Sequence, residues 1–307
     1  MKRFLIFFFC SVFCVSYVYS GDALQITDLG SSASMIGMGR IEGFGRHAQV
    51  MFDNPAGLHS VSRYSIAAFS TYLMDEVTYR NLAIAMRSDW GVSGVGVMMA
   101  GVSDIPYTDK VDGTVIQTGS FVFENVLLKM GHQLSLSRDL SVAVNVSFFS
   151  NTIGHIYGRG WNVDLGALYD FKPFSFSFSV KNILTENKLS YLSSRDSVYT
   201  ASESMPIQTT WGLCVDFGDI DLLTQFKTVS HYQKPLVAMA VMYEPGFLPF
   251  LSLYAGLSNY YQLQVLGEAT TFGLRLILVG IQLDYAYERS DHISFDHHNY
   301  FSASVNF

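Results

Sequence analysis

Cysteine is scarce in this sequence: it occurs three times in 307 residues, as Cys10, Cys14 and Cys214. The first two lie within a predicted export signal, so Cys214 alone remains in the mature chain. One thiol forms neither an intramolecular disulfide nor a zinc site built on several cysteines. A small disulfide-stapled fold is therefore excluded.

Charge is also sparse, and its balance is acidic. Charged residues make up 15 % of the chain, and the net charge is −7. The sequence has no basic patch, so it offers no electrostatic attraction to a phosphate backbone. Nucleic acid is therefore excluded as a partner.

Long hydrophobic runs are missing after residue 20. No stretch of the mature chain reaches the roughly 18 apolar residues that a transmembrane helix needs. Aromatic residues nevertheless make up 15 % of the chain. The other structure that satisfies its backbone within lipid is a closed β-barrel. With an export signal, this composition predicts a transmembrane barrel.

The first 20 residues are organised like a secretory signal peptide. Lys2 and Arg3 give a positive start, an apolar run follows, and Val18 and Ser20 are small enough for a signal peptidase site. We predict cleavage before Gly21. No lipobox precedes the early cysteines, so we expect no lipid anchor. Export of a barrel places the protein in a bacterial outer membrane.

Alternation with a period of two dominates the rest of the chain. Phe174, Phe176, Phe178 and Val180, for example, are separated by serines. One apolar and one small or polar face are what a barrel strand needs between lipid and lumen. The pattern predicts an all-β antiparallel barrel of about fourteen strands. Their predicted ranges are 64–73, 78–87, 91–101, 121–135, 140–149, 160–169, 174–183, 206–217, 220–229, 235–243, 250–258, 269–278, 280–289 and 299–307.

The connections support the same fold. Links after even-numbered strands are tight, as at Lys172-Pro173 and Val279-Gly280. Links after odd-numbered strands are often long, as at 102–120, 150–159, 184–205, 259–268 and 290–298. Outer-membrane barrels have short periplasmic turns and longer outer loops. This asymmetry predicts that both termini are periplasmic.

The last strand ends the chain on an aromatic residue. Phe301, Ala303, Val305 and Phe307 share one face. This pattern resembles the assembly signal that the barrel-assembly machinery reads on outer-membrane barrels, and we assign it to Phe301, Val305 and Phe307. A soluble secreted β-sandwich also alternates, but it does not account for this ending.

About forty residues precede the first predicted strand, and they do not alternate. They are rich in Gly, Ser and Met. A barrel of this size has room for such a segment inside. We therefore predict three parts: a signal peptide at 1–20, an N-terminal plug at 21–63 and the transmembrane barrel at 64–307.

A small-residue segment leading to Asn54-Pro55-Ala56-Gly57-Leu58, followed by a barrel ending in Phe, resembles the FadL-like long-chain fatty acid transporters. Residues 104–109, 164–169 and 180–182 look closer to uncharacterised spirochaete barrels and to PorV-like proteins. The resemblance covers nearly the whole mature chain. It implies fourteen strands, an N-terminal hatch, diffusion of hydrophobic substrates and a lateral opening in the third strand.

Two features of this resemblance each have a second interpretation. Gly91, Gly94 and Gly96 lie in the third strand, where glycine permits a kink that opens the wall or makes room for plug residues such as Phe52. Asn54-Pro55 is either an ordinary turn joining plug to barrel or a fixed kink in a moving hatch. We expect the plug segment that contains Asn54-Pro55-Ala56 to lie against the third strand and to control its opening.

Six charged residues occupy the polar faces of predicted strands, and charge toward lipid is costly. We therefore expect them to point into the lumen and pair with each other or with the plug; they are Asp164, Asp216, Lys227, Arg275, Asp284 and Glu288. No catalytic motif stands out. Asp291, His292 and residues 296–298 look like a solvated loop rather than a metal site. We predict neither enzyme activity nor a cofactor.

These observations favour an outer-membrane transporter for long-chain fatty acids or other hydrophobic small molecules, working by diffusion through a plugged barrel with a lateral exit. The partners are then hydrophobic molecules and outer-membrane lipid. The alternatives are a PorV-like protein that binds a secreted protein partner in secretion or surface attachment, and a structural surface antigen.

Overall fold

The computed structural model describes residues 26–73, 76–184, 188–193, 200–262, 265–291 and 296–307. The predicted signal peptide and its cleavage site lie outside these residues. Sixteen strands are found in the described part, and their bounds are β1 Tyr64–Leu73, β2 Val77–Ser88, β3 Gly91–Val111, β4 Thr114–Ser135, β5 Leu140–Ile153, β6 Ile156–Phe171, β7 Phe174–Lys181, β8 Lys188–Ser193, β9 Thr200–Ser204, β10 Gln208–Asp216, β11 Ile220–Val229, β12 Leu236–Tyr243, β13 Leu251–Gln262, β14 Val265–Leu278, β15 Ile281–Ser290 and β16 His298–Asn306.

Fourteen of these strands form a closed antiparallel barrel. Each pairs with its neighbours in the ring, β7 with β10, and β16 with β1. The hairpin β8–β9 is not part of the ring, and β8 pairs with the first residues of β6, Ile156 to Arg159. The predicted fold class and strand number are therefore confirmed. None of the helices in the described ranges has the length and apolar character of a membrane span.

The two faces of each strand have different environments. In β1, the side chains of Ser65, Ala67 and Phe69 are buried inside, whereas Tyr64 and Tyr72 are exposed outside at opposite ends of the strand. Exposed apolar side chains continue around the ring, among them Leu82, Phe176, Met239 and Leu257. Such a belt with aromatic residues near its edges is typical of a lipid-facing barrel wall.

The segment before β1 folds into short helical turns. It contains the helix α1, Ala33–Gly37, and 3-10 helices at Ile26–Leu29, Ala48–Phe52 and Pro55–Ser60. The Ser32 hydroxyl caps α1 by accepting a bond from the amide of Met35 at 3.2 Å, which satisfies one of the free N–H groups at the helix start. We call residues 26–61 the inner segment, because they contact inward-facing side chains of the barrel throughout their length.

Several predicted long loops are in fact extensions of the strands. β3 and β4 continue as a hairpin to Asp112-Gly113, and β5 and β6 continue to a turn at Gly154. Asp112 and Gly113 both have positive φ, at 50° and 84°, which is the requirement of a type I′ hairpin turn. The expectation of a loop over 102–120 was wrong because it overlooked this Asp-Gly signal.

The carboxyl-terminal strand closes the ring. Phe301, Ala303, Val305 and Phe307 lie on its outward face. The backbone of Phe307 bonds to that of Tyr64 in both directions, at 2.8 and 3.2 Å. The last residue therefore completes the β16–β1 ladder. Its recognition by the barrel-assembly machinery stays a prediction.

The outward belt yields a test of the register. Met239 lies on the lipid-facing side of β12 and is 60 % exposed. Met239→Arg places a cation in the lipid, which costs about 2–4 kcal/mol at mid-bilayer, so we expect insertion into lipid vesicles to fall sharply. Met239→Leu should insert normally. The measurement is heat-modifiable electrophoretic migration of the refolded barrel, and equal insertion of the two variants would contradict the assigned face.

Candidate functional site

One side of the barrel interior is apolar. Met51, Phe52 and Leu58 of the inner segment are completely buried against inward-facing residues of β1–β4. We call this contact the apolar seam. Its wall residues are Phe69, Tyr79, Met98 and Leu127. Apolar residues rarely line a water-filled channel, so this side of the interior is the first candidate for binding a hydrophobic molecule.

The glycines of β3 contribute to the seam. A Cβ atom on Gly96 would lie 2.5 Å from Cζ of Phe52 and 2.9 Å from Sδ of Met51, so only glycine leaves room for these side chains. A Cβ on Gly94 would be in ordinary contact, 3.5 Å from Met51 Sδ. Gly91 begins the strand with φ +130°. The β2 and β4 ladders are continuous at Gly94 and Gly96, so the wall is closed there.

Asn54 attaches the inner segment to the opposite wall. Its side-chain oxygen accepts a bond from the amide of Ala56 at 3.0 Å and caps the 3-10 helix that Pro55 begins. Its amide nitrogen donates to the carbonyls of Ala167 in β6 and Phe178 in β7, at 3.0 and 3.1 Å. The segment that contains Asn54 does lie against β3, through Phe52 and Leu58, but Asn54 itself bonds to β6 and β7.

Pro55, Ala56 and Gly57 complete this attachment. Pro55 is the first residue of the 3-10 helix, where its missing N–H costs no hydrogen bond. Ala56 is buried in a small cluster with Ala143 and Leu168. Gly57 leaves space for Val50, whose side chain would lie 3.3 Å from an added Cβ. This turn is thus tightly packed on both sides.

The other side of the interior is charged, and the charges join the inner segment to the wall. Glu42 is buried between Lys181 of β7, at 2.6 Å, and Lys227 of β11, at 3.0 Å. Lys227 also bonds to Asp28 at 3.0 Å. Burial opposes ionisation of Glu42, but the two lysine charges outweigh it and lower the pKa of its carboxyl to about 2. Glu42 is therefore a carboxylate that bridges two strands.

Two further ion pairs lie on this side: one joins the inner segment to the wall, and the other joins two neighbouring strands of the wall. Arg40 of the segment bonds to Glu288 of β15 at 2.7 Å, and the hydroxyl of Tyr300 donates to the same carboxylate. Arg275 of β14 bonds to Asp284 of β15 at 3.0 Å. All four charged groups are paired in a water-poor interior, where an unpaired charge would be costly.

Asp164 of β6 pairs with Lys129 of β4 at 2.7 Å, across the intervening β5. The Ser147 hydroxyl and the Asn182 amide also donate to its carboxylate, each at 3.0 Å. Both partners are about 2 % exposed. This pair ties three neighbouring strands together beneath the inner segment.

The six charges predicted from the alternation therefore occupy two environments. Asp164, Lys227, Arg275, Asp284 and Glu288 are buried inside the barrel. Asp216 lies at the rim, where its carboxylate is 38 % exposed and 3.5 Å from Lys172. The sequence reasoning missed Lys129 and Lys181, whose alternation gave the same signal. It also missed Asp28, Arg40 and Glu42, which lie in a segment without periodicity.

One buried carboxyl in the inner segment lacks a cationic partner within salt-bridge distance among the described residues. Asp53 accepts a bond from the Ser31 hydroxyl at 2.6 Å. Burial raises the pKa of Asp53 from 3.8 to about 7. Within the described ranges, no group of three His, Cys, Asp or Glu side chains is placed to hold a metal ion. The site is thus a packed segment between an apolar wall and a charged wall.

The buried triad of Glu42, Lys181 and Lys227 can be tested directly. Glu42→Ala leaves Lys181 buried without its carboxylate partner and Lys227 with Asp28 alone, and breaking a buried pair in this way costs about 3–5 kcal/mol. We expect the inner segment to become sensitive to protease while the barrel stays intact. Arg46→Ala, an exposed residue of the same segment, is the matched control. Equal protection of the two variants would show that the triad does not hold the segment.

Asp53 predicts a pH dependence. Its pKa is raised on folding, so between its ordinary value and about 7 the folded chain holds a proton that the unfolded chain has lost. Its contribution to the free energy of unfolding is therefore full at low pH and is lost as pH rises toward 7. Asp53→Asn should stabilise the segment at about pH 8 and have little effect at about pH 4. Hydrogen exchange of the segment measures this, and a pH-independent effect would contradict it.

Neither a family model nor a curated protein matches the sequence. Among solved structures, the monoaromatic hydrocarbon channel CymD matches with a TM-score of 0.64 and 12 % identity, over 91 % of this chain and 98 % of that one. The Pseudomonas putida toluene transporter TodX matches with a TM-score of 0.59 and 13 % identity, over 91 % and 99 %. A Pseudomonas aeruginosa FadL homologue matches with a TM-score of 0.58 and 9 % identity, over 94 % and 96 %. The chain therefore has the fold of the FadL-like outer-membrane barrels.

Proposed function

We propose that this protein is an outer-membrane transporter for long-chain fatty acids or other hydrophobic small molecules. The observation that carries the proposal is the apolar seam between the inner segment and β1–β4. The seam gives the barrel interior an apolar strip opposite a charged wall. A hydrophobic molecule gains free energy by contacting such a strip instead of water.

Transport along the seam requires the inner segment to move. Phe52 and Met51 fill the seam completely in this structure. The ion pairs of Arg40 and Glu42 hold the charged side of the segment to β7, β11 and β15. We propose that the segment acts as a hatch that stays anchored on its charged side and separates from β1–β4 on its apolar side.

The similar solved structures support the class of substrate. They are a monoaromatic hydrocarbon channel, a toluene transporter and a FadL homologue. We propose that this chain likewise carries hydrophobic small molecules. A predicted signal peptide at residues 1–20 would export it, and the ending at Phe307 would direct its assembly in the outer membrane.

We further propose a lateral exit, and the structure bears on its position. The ladders beside Gly94 and Gly96 are continuous, whereas the β3–β4 register shifts between Val102 and Ile105. Asp104, within that shift, has a φ of 58°. An interrupted ladder is easier to open than a continuous one because fewer backbone bonds must break. This shift lies at the end of the wall, directly beyond the last β2–β3 pair at Gly101, and we propose the lateral exit there and not at the glycines.

The apolar seam can be loosened by one substitution. Phe52→Ala removes most of the contact that closes the seam, and truncating a buried Phe costs about 3–5 kcal/mol. Every 1.4 kcal/mol is a tenfold change in an equilibrium, so the open population should rise by an order of magnitude or more. We expect faster uptake of a labelled long-chain fatty acid and of toluene into vesicles containing the purified barrel.

The control is Ile41→Ala. Ile41 is as deeply buried as Phe52, but it packs in a different cluster, with Met38, Leu223 and Tyr254. This variant should leave uptake near the wild-type rate. If both variants take up the two compounds equally fast, at equal barrel content, the seam is not the route.

A second candidate function rests on the β3–β4 hairpin. Beyond Gly101, β3 is no longer paired with β2, and β4 pairs with β5 only up to Phe123. The projecting part exposes Tyr107, Val115 and Ile116. Exposed apolar residues on a projecting hairpin suit the binding of a secreted protein partner. A barrel with this role alone would give no uptake above that of protein-free vesicles.

A further inference from the structure

A groove of about 680 Å³ runs along the outer surface of the barrel where the first and last strands meet. It is bordered by β15 and β16 on one side and by β2 and β3 on the other, with β1 along its middle. Its floor consists of the small residues Ala68, Ser70 and Ala303. In the ladder, Ala68 stands between Ala303 and Leu82. Three small side chains in adjacent positions thus leave a depression in the lipid-facing wall.

Bulky apolar residues form the sides of the groove. Phe301 and Leu283 stand on one side, and Leu82 and Met99 on the other. All four are exposed, between 43 % and 61 %. In a bilayer, such a depression contacts hydrocarbon and not water, so packing rather than the hydrophobic effect decides what fills it. An extended acyl chain fits a trough that is open along one side.

Arg80 lies at one end of this groove. It pairs across the ladder with Ser70 on β1 and with Met99 on β3. Its side chain faces outward and is exposed. Within the described parts of the chain, no carboxylate lies within 4.0 Å of it. Asp284 also lines the groove, but its carboxylate faces inward and bonds to Arg275.

The position of Arg80 along the strand matters. On β2, Arg80 is two residues from Thr78, which pairs with Tyr72 of β1. Tyr72 faces outward near the carboxyl end of β1 and is 55 % exposed. Aromatic girdles mark the boundary between hydrocarbon and headgroups. The guanidinium is therefore within reach of the headgroups of the leaflet on the Tyr72 side, while the groove floor extends toward the membrane interior.

We propose that this groove is a binding site for a membrane lipid with an anionic phosphate headgroup. One acyl chain would lie over Ala68 and Ala303, and the phosphate would contact Arg80. The planar guanidinium binds phosphate through paired hydrogen bonds. An arginine near the membrane surface favours an anionic lipid by about five-fold over a neutral one. The site lies on the outer wall and is independent of the proposed transport route.

The test uses the full-length barrel in vesicles of equal parts phosphatidylglycerol and phosphatidylcholine. The lipids retained after extraction into mild detergent are counted by native mass spectrometry. Arg80→Gln removes the charge, and Arg159→Gln removes an outward-facing, exposed arginine of β6 as its control. Ala68→Phe fills the groove, and Ala255→Phe places the same ring on the outward face of β13.

The wild-type barrel should retain phosphatidylglycerol over phosphatidylcholine by about five-fold. Arg80→Gln should remove this preference, and Ala68→Phe should remove retention of both lipids, while both controls behave as the wild type. Equal preference in the Arg80 and Arg159 variants would overturn the proposal. The proposal would also be overturned if the wild-type barrel formed dimers that the Ala68→Phe variant does not form. A second copy of the barrel would then occupy the groove. If Ala68→Phe does not fold, the Arg80 comparison alone decides.

Discussion

The structure depends on one constraint: within a bilayer, every backbone N–H and C=O of the wall must find its partner inside the protein. The ring satisfies this constraint by closing, and the bonds between Phe307 and Tyr64 complete the β16–β1 ladder. A ring of fourteen strands encloses more space than side chains alone fill. The inner segment occupies that space, and it brings its own backbone and charges into a place with little water. Each of these groups then needs a partner on the wall.

This need gives the interior its two unlike sides. Arg40 and Glu42 meet opposite charges on β7, β11 and β15, whereas the side chains of Met51, Phe52 and Leu58 pack on apolar residues of β1–β4. Separating buried ion pairs costs far more than sliding apolar surfaces past a hydrophobic ligand that replaces the lost contact. In the proposed function, the segment stays fixed on its charged side and separates on its apolar side, as passage of a hydrophobic molecule would require.

How far the sequence predicted this depends on periodicity. Alternation such as Phe174 to Val180 located all fourteen ring strands and the inward direction of Asp284 and Arg275, because a strand fixes every second side chain. It could not locate Glu42 or Asn54, since their segment has no period and its partners are distant in sequence. Lys129 carried the same alternation signal and was overlooked. Gly96 was singled out with two interpretations, a kink or room for Phe52. The close approach of the Phe52 ring favours the second, and spacing alone could not choose between them because the contact is tertiary.

The central claim is that hydrophobic molecules pass where the inner segment separates from β3. The most direct measurement uses a reversible cross-link between the inner segment and β3. A Cβ at residue 94 would lie 3.5 Å from Sδ of Met51, so cysteines at 94 and 51 can be joined by a short bis-thiosulfonate cross-linker, which a reductant cleaves. With Cys214 replaced by serine, uptake of a labelled fatty acid would be compared before and after reduction of the same vesicles. The account predicts no uptake above protein-free vesicles when the two cysteines are cross-linked, and recovery of uptake on reduction. Equal uptake in both states, with the cross-link shown to be complete, would contradict it.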